Sequence, residues 1–392
     1  MKKVIALGGA GHIGACGVRE LVKRAPDVEV IIADFNLDAA QELVKEVGGK
    51  TSAVKVDVRD SKALVNLMKD ADAVMSFVGP YYLLAEPIIK AAIEAKTPLV
   101  DICDDGDVTL AMLERSKEAE KAGIPIIMGL GATPGITNMM ALRGSEMLDQ
   151  ATDIDTSWAW TALDPKMTGP AIVDHYFHAV TGDIVTFRDG DWVKIPAMSV
   201  KRTLEFSDPV GVLEASEVGH PEPATIPKYI KGVKNVSNNG VVWPQRFTDI
   251  AMFMKEIGLA DQTMMKVLDK EVKARDVATS IILALPELNT DMVEDMILET
   301  MNRYGEFGIE GVCLRVDVKG EKDGAQTQYS YRCGGAADLL TALPAVLGTL
   351  MIVNGDVKKT GVLAPEGVIP QEIFFDLLTK SVPVEEIASQ YI

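Results

Sequence analysis

From Lys2 to about Met128 the chain alternates two hydrophobic patterns. Short apolar runs are separated by longer segments in which apolar residues recur every three or four positions. Nearly continuous apolar runs predict parallel strands buried on both faces, and the longer segments predict single helices between them. Because such crossovers are right-handed, a doubly wound α/β sheet is the simplest topology. The six strand patterns read KVIALG, EVIIAD, SAVKVD, AVMSFV, PLVDIC and IPIIMG.

The first strand pattern stops at a glycine-rich turn that opens a helix pattern. Gly9, Gly11 and Gly14 fit G-x-G-x-x-G, which permits a tight turn, close approach of backbone to a pyrophosphate and close helix–strand packing. The second strand pattern ends at Asp34, where a carboxylate can accept hydrogen bonds from the adenosine ribose and would repel a 2′-phosphate. No arginine adjoins Asp34, so these residues predict a Rossmann dinucleotide-binding domain that prefers NAD to NADP.

Two further pairs of residues are predicted to contact the cofactor. His12 and Ile13 lie inside the glycine turn, where backbone N–H groups at a helix N-terminus face the phosphates. Gly79 and Pro80 follow the fourth strand pattern, and the carboxyl ends of strands face the ligand crevice in open α/β sheets. A Gly-Pro pair that simply ends a strand is the alternative. The adjoining Tyr81 is assigned to the substrate.

The pattern changes after the first domain. From about Ile154 to Tyr331 β-branched and polar residues alternate, and Pro-rich and Gly-rich connections interrupt them. This indicates a second α+β domain with a mixed or antiparallel sheet, and an apolar helical stretch follows it. We predict three segments, namely a Rossmann domain at 1–130, a substrate and dimerisation domain at 131–332, and a C-terminal helical segment at 333–392 that returns to the Rossmann domain.

The fifth strand pattern ends in VDICDDGD, which crowds four carboxylates where the crevice should open. A carboxylate there could hold a substrate ammonium or move a proton. We assign proton transfer to Asp104 and substrate binding to Asp105. The alternative is helix capping, with Asp105 or Asp107 at the start of the next helix.

His220 is the second candidate for proton transfer. It lies in the proline-rich stretch GHPEPATIP with Glu222 beside it, and a rigid loop of this kind suits a site. A solvent-exposed turn is the alternative. His175 and His178 are three residues apart, but no third ligand is evident, so a packed or surface role is favoured and no metal is predicted.

A substrate carboxylate calls for arginine, whose planar fork binds it through two hydrogen bonds. Arg202 and Arg246 are assigned to substrate binding, and Arg332 is a further candidate. Each could instead form a surface ion pair.

Composition narrows the class of partner. The 392 residues include 57 Asp and Glu against 39 Lys and Arg, giving a net charge of −18. That balance argues against nucleic acid or an anionic membrane as the main partner. The four cysteines show no CxxC pairing, which makes a disulfide framework or thiolate metal site unexpected. We see no signal-peptide layout and no apolar run of the roughly 18–20 residues that span a bilayer, so we expect a cytoplasmic protein.

Segments spread over most of the chain resemble the saccharopine dehydrogenase family, particularly its single-chain members of the lysine 6-dehydrogenase type. They read ALGGAGHIGACGVREL, SFVGPYY, VDICDD, EKAGIPIIMGLGATPGITNMMA, GHPEPATIPKYIKG and GVLAPEGVIPQEIFFDLL. The resemblance implies a Rossmann domain, an inserted α/β domain, C-terminal helices that return to the first domain, and a homodimer. It also implies that the glycine turn and Asp34 bind the adenine half of the cofactor, with Gly79 and Pro80 by the nicotinamide.

The resemblance further implies oxidation of an amine carbon to an imine, or the reverse, with NAD or NADP. We therefore expect an oxidoreductase acting on the CH–NH group of an amino acid or opine-like substrate, with hydride transfer between nicotinamide C4 and that carbon, in a cleft that excludes water. Two alternatives stay open. One is a homospermidine-synthase-like enzyme with prosthetic NAD, and the other is a non-catalytic protein that binds or senses NAD.

Overall fold

The computed structural model describes residues 2–161, 163 and 169–390, and the chain divides into two compact units. The first unit contains Met1–Met147, Lys228–Lys231 and Asp338–Val384. The second contains Leu148–Pro227, Gly232–Ala337 and Glu385–Ile392. The first unit therefore extends beyond residue 130, and the chain returns to it near residue 338.

The first unit is built on a seven-stranded parallel sheet. Its strands are β1 (Lys3–Leu7), β2 (Glu29–Asp34), β3 (Thr51–Lys55), β4 (Ala73–Ser76), β5 (Leu99–Asp101), β6 (Pro125–Met128) and β17 (Gly361–Leu363). They lie in the order β17-β6-β5-β4-β1-β2-β3, and all neighbouring pairs are parallel. The strand order reverses between β1 and β4, and open α/β sheets bind ligands at the carboxyl edge of such a switch point.

Helices cover both faces of this sheet. They are α1 (His12–Arg24), α2 (Leu37–Val47), α3 (Ser61–Met68), α4 (Tyr81–Ala95), α5 (Gly106–Leu113), α6 (Ser116–Ala122), α7 (Ile136–Met147), α14 (Ala337–Asn354), α15 (Pro365–Val368) and α16 (Gln371–Leu378). One core cluster joins β1 and β2 to α1, α2 and α14 around Val18 and Val346. The other joins the sheet to α3, α4, α5 and α6 around Leu64 and Ile88. Burial on both faces explains why the strands have nearly continuous apolar runs.

The helix α14 departs from the expectation that no apolar segment is long enough to span a bilayer. It has 18 residues and a mean hydropathy of 1.6, which by length and composition would suffice. However, 61% of the segment is buried inside the structure, and Val346 packs in the first unit's core. This packing is typical of a central core helix, which is apolar all round.

The second unit is built on a nine-stranded mixed sheet. Its strands are β7 (Gln150–Thr161), β8 (Asp183–Arg188), β9 (Asp191–Pro196), β10 (Lys201–Glu205), β11 (Val212–Glu217), β12 (Asn235–Trp243), β15 (Gly311–Lys322), β16 (Ala325–Ala336) and β18 (Glu385–Gln390). Seven strands run in the order β10-β11-β12-β7-β15-β16-β18, while β8 pairs with β12 and with β9. β7 and β12 are parallel to each other, and the other pairs are antiparallel.

Among its described residues the second unit also contains a hairpin and six helices. The hairpin is β13 (Met264–Val267) with β14 (Lys270–Lys273). The helices are α8 (Pro170–Val180), α9 (Glu222–Tyr229), α10 (Gln245–Glu256), α11 (Ala274–Leu288), α12 (Thr290–Tyr304) and α13 (Phe307–Glu310). The last two residues of α9 are grouped with the first unit.

The two faces of the mixed sheet differ in chemistry. Because successive strand residues point to opposite faces, Asp155 and Ser157 of β7 share one face and Trp158 lies on the other. The Asp155 face carries ion pairs, and towards the other end of the strands it becomes an apolar cluster that includes Phe206 and Trp243. The Trp158 face carries the histidine described below.

The predicted fold class, a doubly wound parallel sheet with a second mixed sheet, is confirmed. All six predicted strands are present. Two details differ. The helix predicted after β5 is broken at Glu114 and Arg115 into α5 and α6, and the three-residue β17 adds a seventh strand that is too short to show a hydrophobic pattern.

Candidate functional site

The glycine turn between β1 and α1 is sterically specialised. Gly8 has a φ of +67°, and its N–H donates to the Ala33 carbonyl of β2. A Cβ at Gly9 would lie 2.8 Å from the Ala6 carbonyl oxygen, and one at Gly14 only 2.1 Å from the Gly8 oxygen. A Cβ at Gly11 would approach nothing closer than 3.4 Å. Two motif glycines are therefore required by packing, whereas a Cβ at Gly11 would make only an ordinary van der Waals contact with the Gly8 oxygen.

The first turn of α1 has free backbone donors. Gly11 is the N-cap residue and no side chain caps the helix, so the N–H groups of His12 and Ile13 have no partner inside the helix. His12 Nε2 lies 3.9 Å from Asp338 of α14. A glycine cradle at an uncapped helix N-terminus has the donor set that suits a dinucleotide pyrophosphate.

Asp34 is held at the carboxyl end of β2 beside the glycine turn. Its Oδ2 accepts from the Ala10 N–H at 3.0 Å, and its Oδ1 accepts from the Asn36 N–H at 2.9 Å. Each oxygen keeps a second lone pair for a ribose hydroxyl. Lys55 is the strand partner of Asp34 in β3, and its ammonium lies 5.4 Å from the Phe35 ring centroid. A cation is thus present here although no arginine adjoins Asp34.

The segment after β4 places Gly79, Pro80 and Tyr81 at the same edge of the sheet. Pro80 is the N-cap residue of α4, and Tyr81 begins that helix. Burial raises the pKa of the Tyr81 hydroxyl well above its ordinary value of 10, and nearby carboxylates raise it further, with Asp104 contributing most. The Tyr81 hydroxyl therefore stays protonated at neutral pH, and a phenol can both donate and accept a hydrogen bond.

The predicted carboxylate cluster after β5 separates into members with different surroundings. Asp101 and Asp105 are buried, Asp104 is half-buried, and Asp107 is exposed. Burial raises the pKa of Asp101 to about 6, although Ser76 and the Cys103 N–H act in the opposite direction. Asp105 is at the N-cap position of α5, but its side chain makes no capping hydrogen bond. This weakens the capping alternative for Asp105.

In the second unit, His220 and Glu222 form a buried pair. His220 Nδ1 lies 3.0 Å from Glu222 Oε2, and the two side chains are 2% and 0% exposed. His220 follows β11, and Glu222 begins α9. The solvent-exposed turn considered as an alternative is therefore wrong. A buried imidazole paired with a carboxylate can accept and return a proton.

Two rings from other elements surround His220. The Trp158 ring of β7 has its centroid 5.7 Å away at an interplanar angle of 38°, and the His175 ring of α8 lies 6.1 Å away at 68°. Trp158 Nε1 donates to Asn238 Oδ1 at 3.0 Å, which fixes the indole. His178, one turn along α8, instead contacts Arg275, with 3.5 Å between Nδ1 and Nη1.

Trp158 also lines a cavity of about 300 Å³ within the second unit. Tyr176 and Val180 of α8 and Thr248 of α10 form part of its apolar and hydroxyl lining. The Asp249 carboxylate, which accepts from Gln245 Nε2 at 2.9 Å, contributes a charge. This mixture of ring faces and a few polar groups is typical of small-molecule sites.

The arginines assigned to substrate binding have different environments. Arg202 forms an ion pair with Asp155, with 2.8 Å between Nη1 and Oδ2, and lies on the face opposite Trp158. Arg246 is exposed near the start of α10, next to Gln245 of the cavity lining. Arg332 pairs with Glu205 at 3.0 Å. Arg202 and Arg332 thus have acidic partners, as the ion-pair alternative predicts.

Some residues of these sites gave no usable signal in the sequence. Gly8 stands outside the three-glycine motif, and its positive φ shows in the structure alone. Trp158 reaches His220 only because β7 and the segment before α9 meet in the folded sheet. Glu222 was visible beside His220, but its burial was not.

A seven-stranded sheet with a glycine cradle at its switch point defines a dinucleotide-binding α/β protein of the Rossmann type. Comparison with known proteins then gives the family. A model described as "Saccharopine dehydrogenase NADP binding domain" matches residues 4–127, and one described as "Saccharopine dehydrogenase C-terminal domain" matches residues 131–381. The chain belongs to the saccharopine dehydrogenase family, so the predicted resemblance is confirmed.

Individual relatives share only 17–31% of the residues aligned with this chain. Saccharopine dehydrogenase (NADP(+), L-glutamate-forming) of Saccharomyces cerevisiae is 31% identical over 151 residues, which are 38% of this chain and 32% of the yeast protein. The chain thus matches about a third of the length of that relative. Carboxyaminopropylagmatine dehydrogenase of Synechocystis is 22% identical, and the alignment covers 99% of this chain and 98% of the Synechocystis protein. The structure of apo saccharopine dehydrogenase (L-Glu forming) from S. cerevisiae superposes over both whole chains with a TM-score of 0.68 at 17% identity, which shows a shared fold.

Proposed function

We propose that this protein is an NAD(P)-dependent oxidoreductase that acts on the CH–NH group of an amino acid or an opine-like secondary amine. One observation carries the proposal. The glycine cradle with Asp34 and the group formed by Tyr81, Asp104 and Asp105 lie at the carboxyl edge of one sheet, after the strands β1, β2, β4 and β5. Family membership supports it, because two relatives that match this chain are dehydrogenases by name.

The proposed roles follow from the chemistry of amine oxidation. When bound, NAD(P)+ supplies the electron sink by accepting hydride at nicotinamide C4. The protein must hold the substrate and remove one proton from its nitrogen, because an ammonium has no lone pair to assist hydride loss from the adjacent carbon. Asp104 and His220 are the two candidates for taking that proton, and Tyr81 and Asp105 are assigned to binding the ammonium. With the cofactor bound, the substrate C–N bond would become C=N as its carbon loses hydride, and the protein would gain the proton.

Of the two arginines assigned to a substrate carboxylate, we favour Arg246. Asp155 neutralises the Arg202 guanidinium on the sheet face opposite Trp158 and His220. Arg202 and His220 therefore cannot contact one small substrate without rearrangement. Arg246 is exposed and follows Gln245, which lines the cavity beside Trp158.

We propose NAD as the preferred cofactor. The Asp34 carboxylate would repel a 2′-phosphate, and its two backbone hydrogen bonds hold it in place. Two observations favour NADP instead, namely the Lys55 ammonium beside Phe35 and the name of the family model that matches this region. Affinities for NADH and NADPH decide between the two.

The experiment that tests the function is absorbance at 340 nm with the purified full chain, NAD or NADP, and a panel of amines in both directions. The panel holds lysine, ornithine, saccharopine and carboxyaminopropylagmatine. We expect NADH formation that depends on one of these substrates. A flat trace with every amine, together with demonstrated NADH binding, would overturn the oxidoreductase proposal and favour a sensing protein or prosthetic NAD.

Matched variants test the assigned residues. We expect Asp104→Asn and His220→Asn to lower kcat/KM by at least tenfold. Asp107→Asn is the control for the first, because Asp107 is exposed in the same segment, and His178→Asn is the control for the second, because His178 contacts Arg275 instead. A loss below tenfold in the double variant of Asp104 and His220 would remove both assignments.

We also propose that the protein forms a homodimer and is located in the cytoplasm. Light scattering on the purified full chain measures the mass of the assembly against the 42.3 kDa of one chain. Fractionation of the source cells tests the location.

A further inference from the structure

Glu222 contacts one particular nitrogen of the His220 ring, a feature that proton transfer by itself does not require. Only one imidazole nitrogen, Nδ1, faces the carboxylate, with a separation of 3.0 Å from Oε2. Both side chains are almost completely buried. At such a distance an ionised carboxylate accepts a hydrogen bond and cannot donate one, so the nitrogen that faces it must carry the proton.

We propose that Glu222 is a positioning residue that fixes His220 in the tautomer with the proton on Nδ1 and the lone pair on Nε2. The inference rests on the proposed function, in which His220 takes a proton from the substrate nitrogen. In this arrangement Nε2 accepts that proton, the N–H bond of the substrate breaks, and its electron pair stays on nitrogen. The ring becomes an imidazolium, and the return step gives the proton back to solvent or product.

The charge balance favours this role. A buried imidazolium without a counter-ion is costly, because burial removes the water that stabilises its charge. With Glu222 in contact, protonation of His220 converts a single buried negative charge into a neutral ion pair. The carboxylate therefore supplies the counter-charge for the imidazolium that forms during proton transfer.

The neighbouring rings restrict the orientation of the imidazole. The Trp158 and His175 rings make interplanar angles of 38° and 68° with the imidazole, which is 2% exposed between them. Trp158 is itself fixed by the hydrogen bond to Asn238. His175 is the titratable group that faces His220 from α8, and Glu222 is the one that faces it from α9.

The test is nitrogen NMR of the full chain labelled with 15N-histidine, where the four histidines give few signals. His220→Asn and His175→Asn assign the resonances. We expect neutral His220 in the wild type to carry its proton on Nδ1. A neutral ring with the proton on Nε2 would overturn the proposal, and this measurement needs no variant of Glu222 to fold.

Kinetics of the folded variants supply the second measurement. Glu222→Gln should lower kcat at least tenfold with KM and the NADH dissociation constant changed less than threefold, and Glu222→Asp should recover part of kcat. The control is Asp317→Asn, which removes another buried carboxylate of the second unit, one that pairs with Arg315. A kcat for Glu222→Gln within threefold of wild type would overturn the positioning role. If the wild type oxidises no amine, the proposed function fails, while the NMR signal still decides whether Glu222 fixes the ring.

Discussion

The Gly14 α-carbon packs so closely on the Gly8 carbonyl that a Cβ on Gly14 would lie 2.1 Å from that oxygen. Both partners are backbone, so the added methyl group cannot be accommodated by a side-chain rotation. The contact fixes the start of α1 against the end of β1, which is the geometry that presents N–H groups to a pyrophosphate.

Gly14→Ala is therefore expected to weaken both folding and cofactor binding. The overpacked turn should cost about 2 kcal/mol of the free energy of unfolding, and NADH affinity should fall at least tenfold. Chemical denaturation and NADH fluorescence titration measure the two effects. Gly11→Ala is the matched control, because its Cβ would approach nothing closer than 3.4 Å. It should leave unfolding almost unchanged and still weaken NADH binding, and equal behaviour of the two variants would contradict this account.

Asp34 is expected to set the choice between NAD and NADP. Wild type should bind NADH at least tenfold more tightly than NADPH, and Asp34→Ser should reverse or abolish that ratio by removing the charge that repels the 2′-phosphate. Lys55, the strand partner of Asp34, would then attract the phosphate. Adding Lys55→Ala to Asp34→Ser should remove part of the gain for NADPH. Fluorescence titration gives all the constants, and tighter binding of NADPH by the wild type would contradict the prediction.

Asp101 is expected to make stability depend on pH. Burial raises its pKa from 3.8 to about 6, so the folded state favours the protonated carboxyl group. Its contribution to stability is complete below pH 3.8 and is lost as pH rises through about 6. Asp101→Asn keeps an oxygen that can accept from the Cys103 N–H, and at pH 7.5 it should be more stable than the wild type by at most about 3 kcal/mol, the product of the pKa change and 1.36 kcal/mol per pKa unit.

The advantage of Asp101→Asn should shrink as pH falls from 7 towards 5. Urea unfolding of variant and wild type at several pH values measures it. Asp107→Asn, which alters an exposed carboxylate in the same segment, should show a difference that does not change over this range. A constant difference for Asp101→Asn as well would mean that Asp101 does not titrate there.

The parts of this molecule that sequence predicts are those fixed by local pattern. Val4 to Leu7 form a continuous apolar run because β1 is buried on both faces, and the glycine turn follows it directly. The sites in the second unit could not be predicted in this way. The partners Arg202 and Asp155, like His220 and Trp158, are far apart in the sequence and meet only through the order and register of the mixed sheet. The sequence identifies Arg202 as a cation that could bind a carboxylate, but only the fold shows that Asp155 already occupies it.

Gly240 of β12 lacks a side chain where the Trp158 indole packs beside His220. A Cβ at Gly240 would lie 2.3 Å from Trp158 Cζ2 and 2.6 Å from Cε2. The indole cannot easily move, because it is buried and its Nε1 donates to Asn238. Gly240→Ala should therefore lower the free energy of unfolding by about 1–3 kcal/mol and change the tryptophan emission.

A double-mutant cycle separates this contact from a general effect on the strand. Trp158→Phe removes both indole atoms that the new Cβ would meet, so Gly240→Ala should cost less in that background, with a coupling energy of about 0.5–3 kcal/mol. Gly169→Ala at the N-cap of α8 is the control, because no atom of the described residues lies within 4 Å of its Cβ position, and its cost should be the same in both backgrounds. If Gly240→Ala costs the same in the wild type and in the Trp158→Phe background, the two positions are not coupled, and backbone freedom rather than the indole explains the glycine.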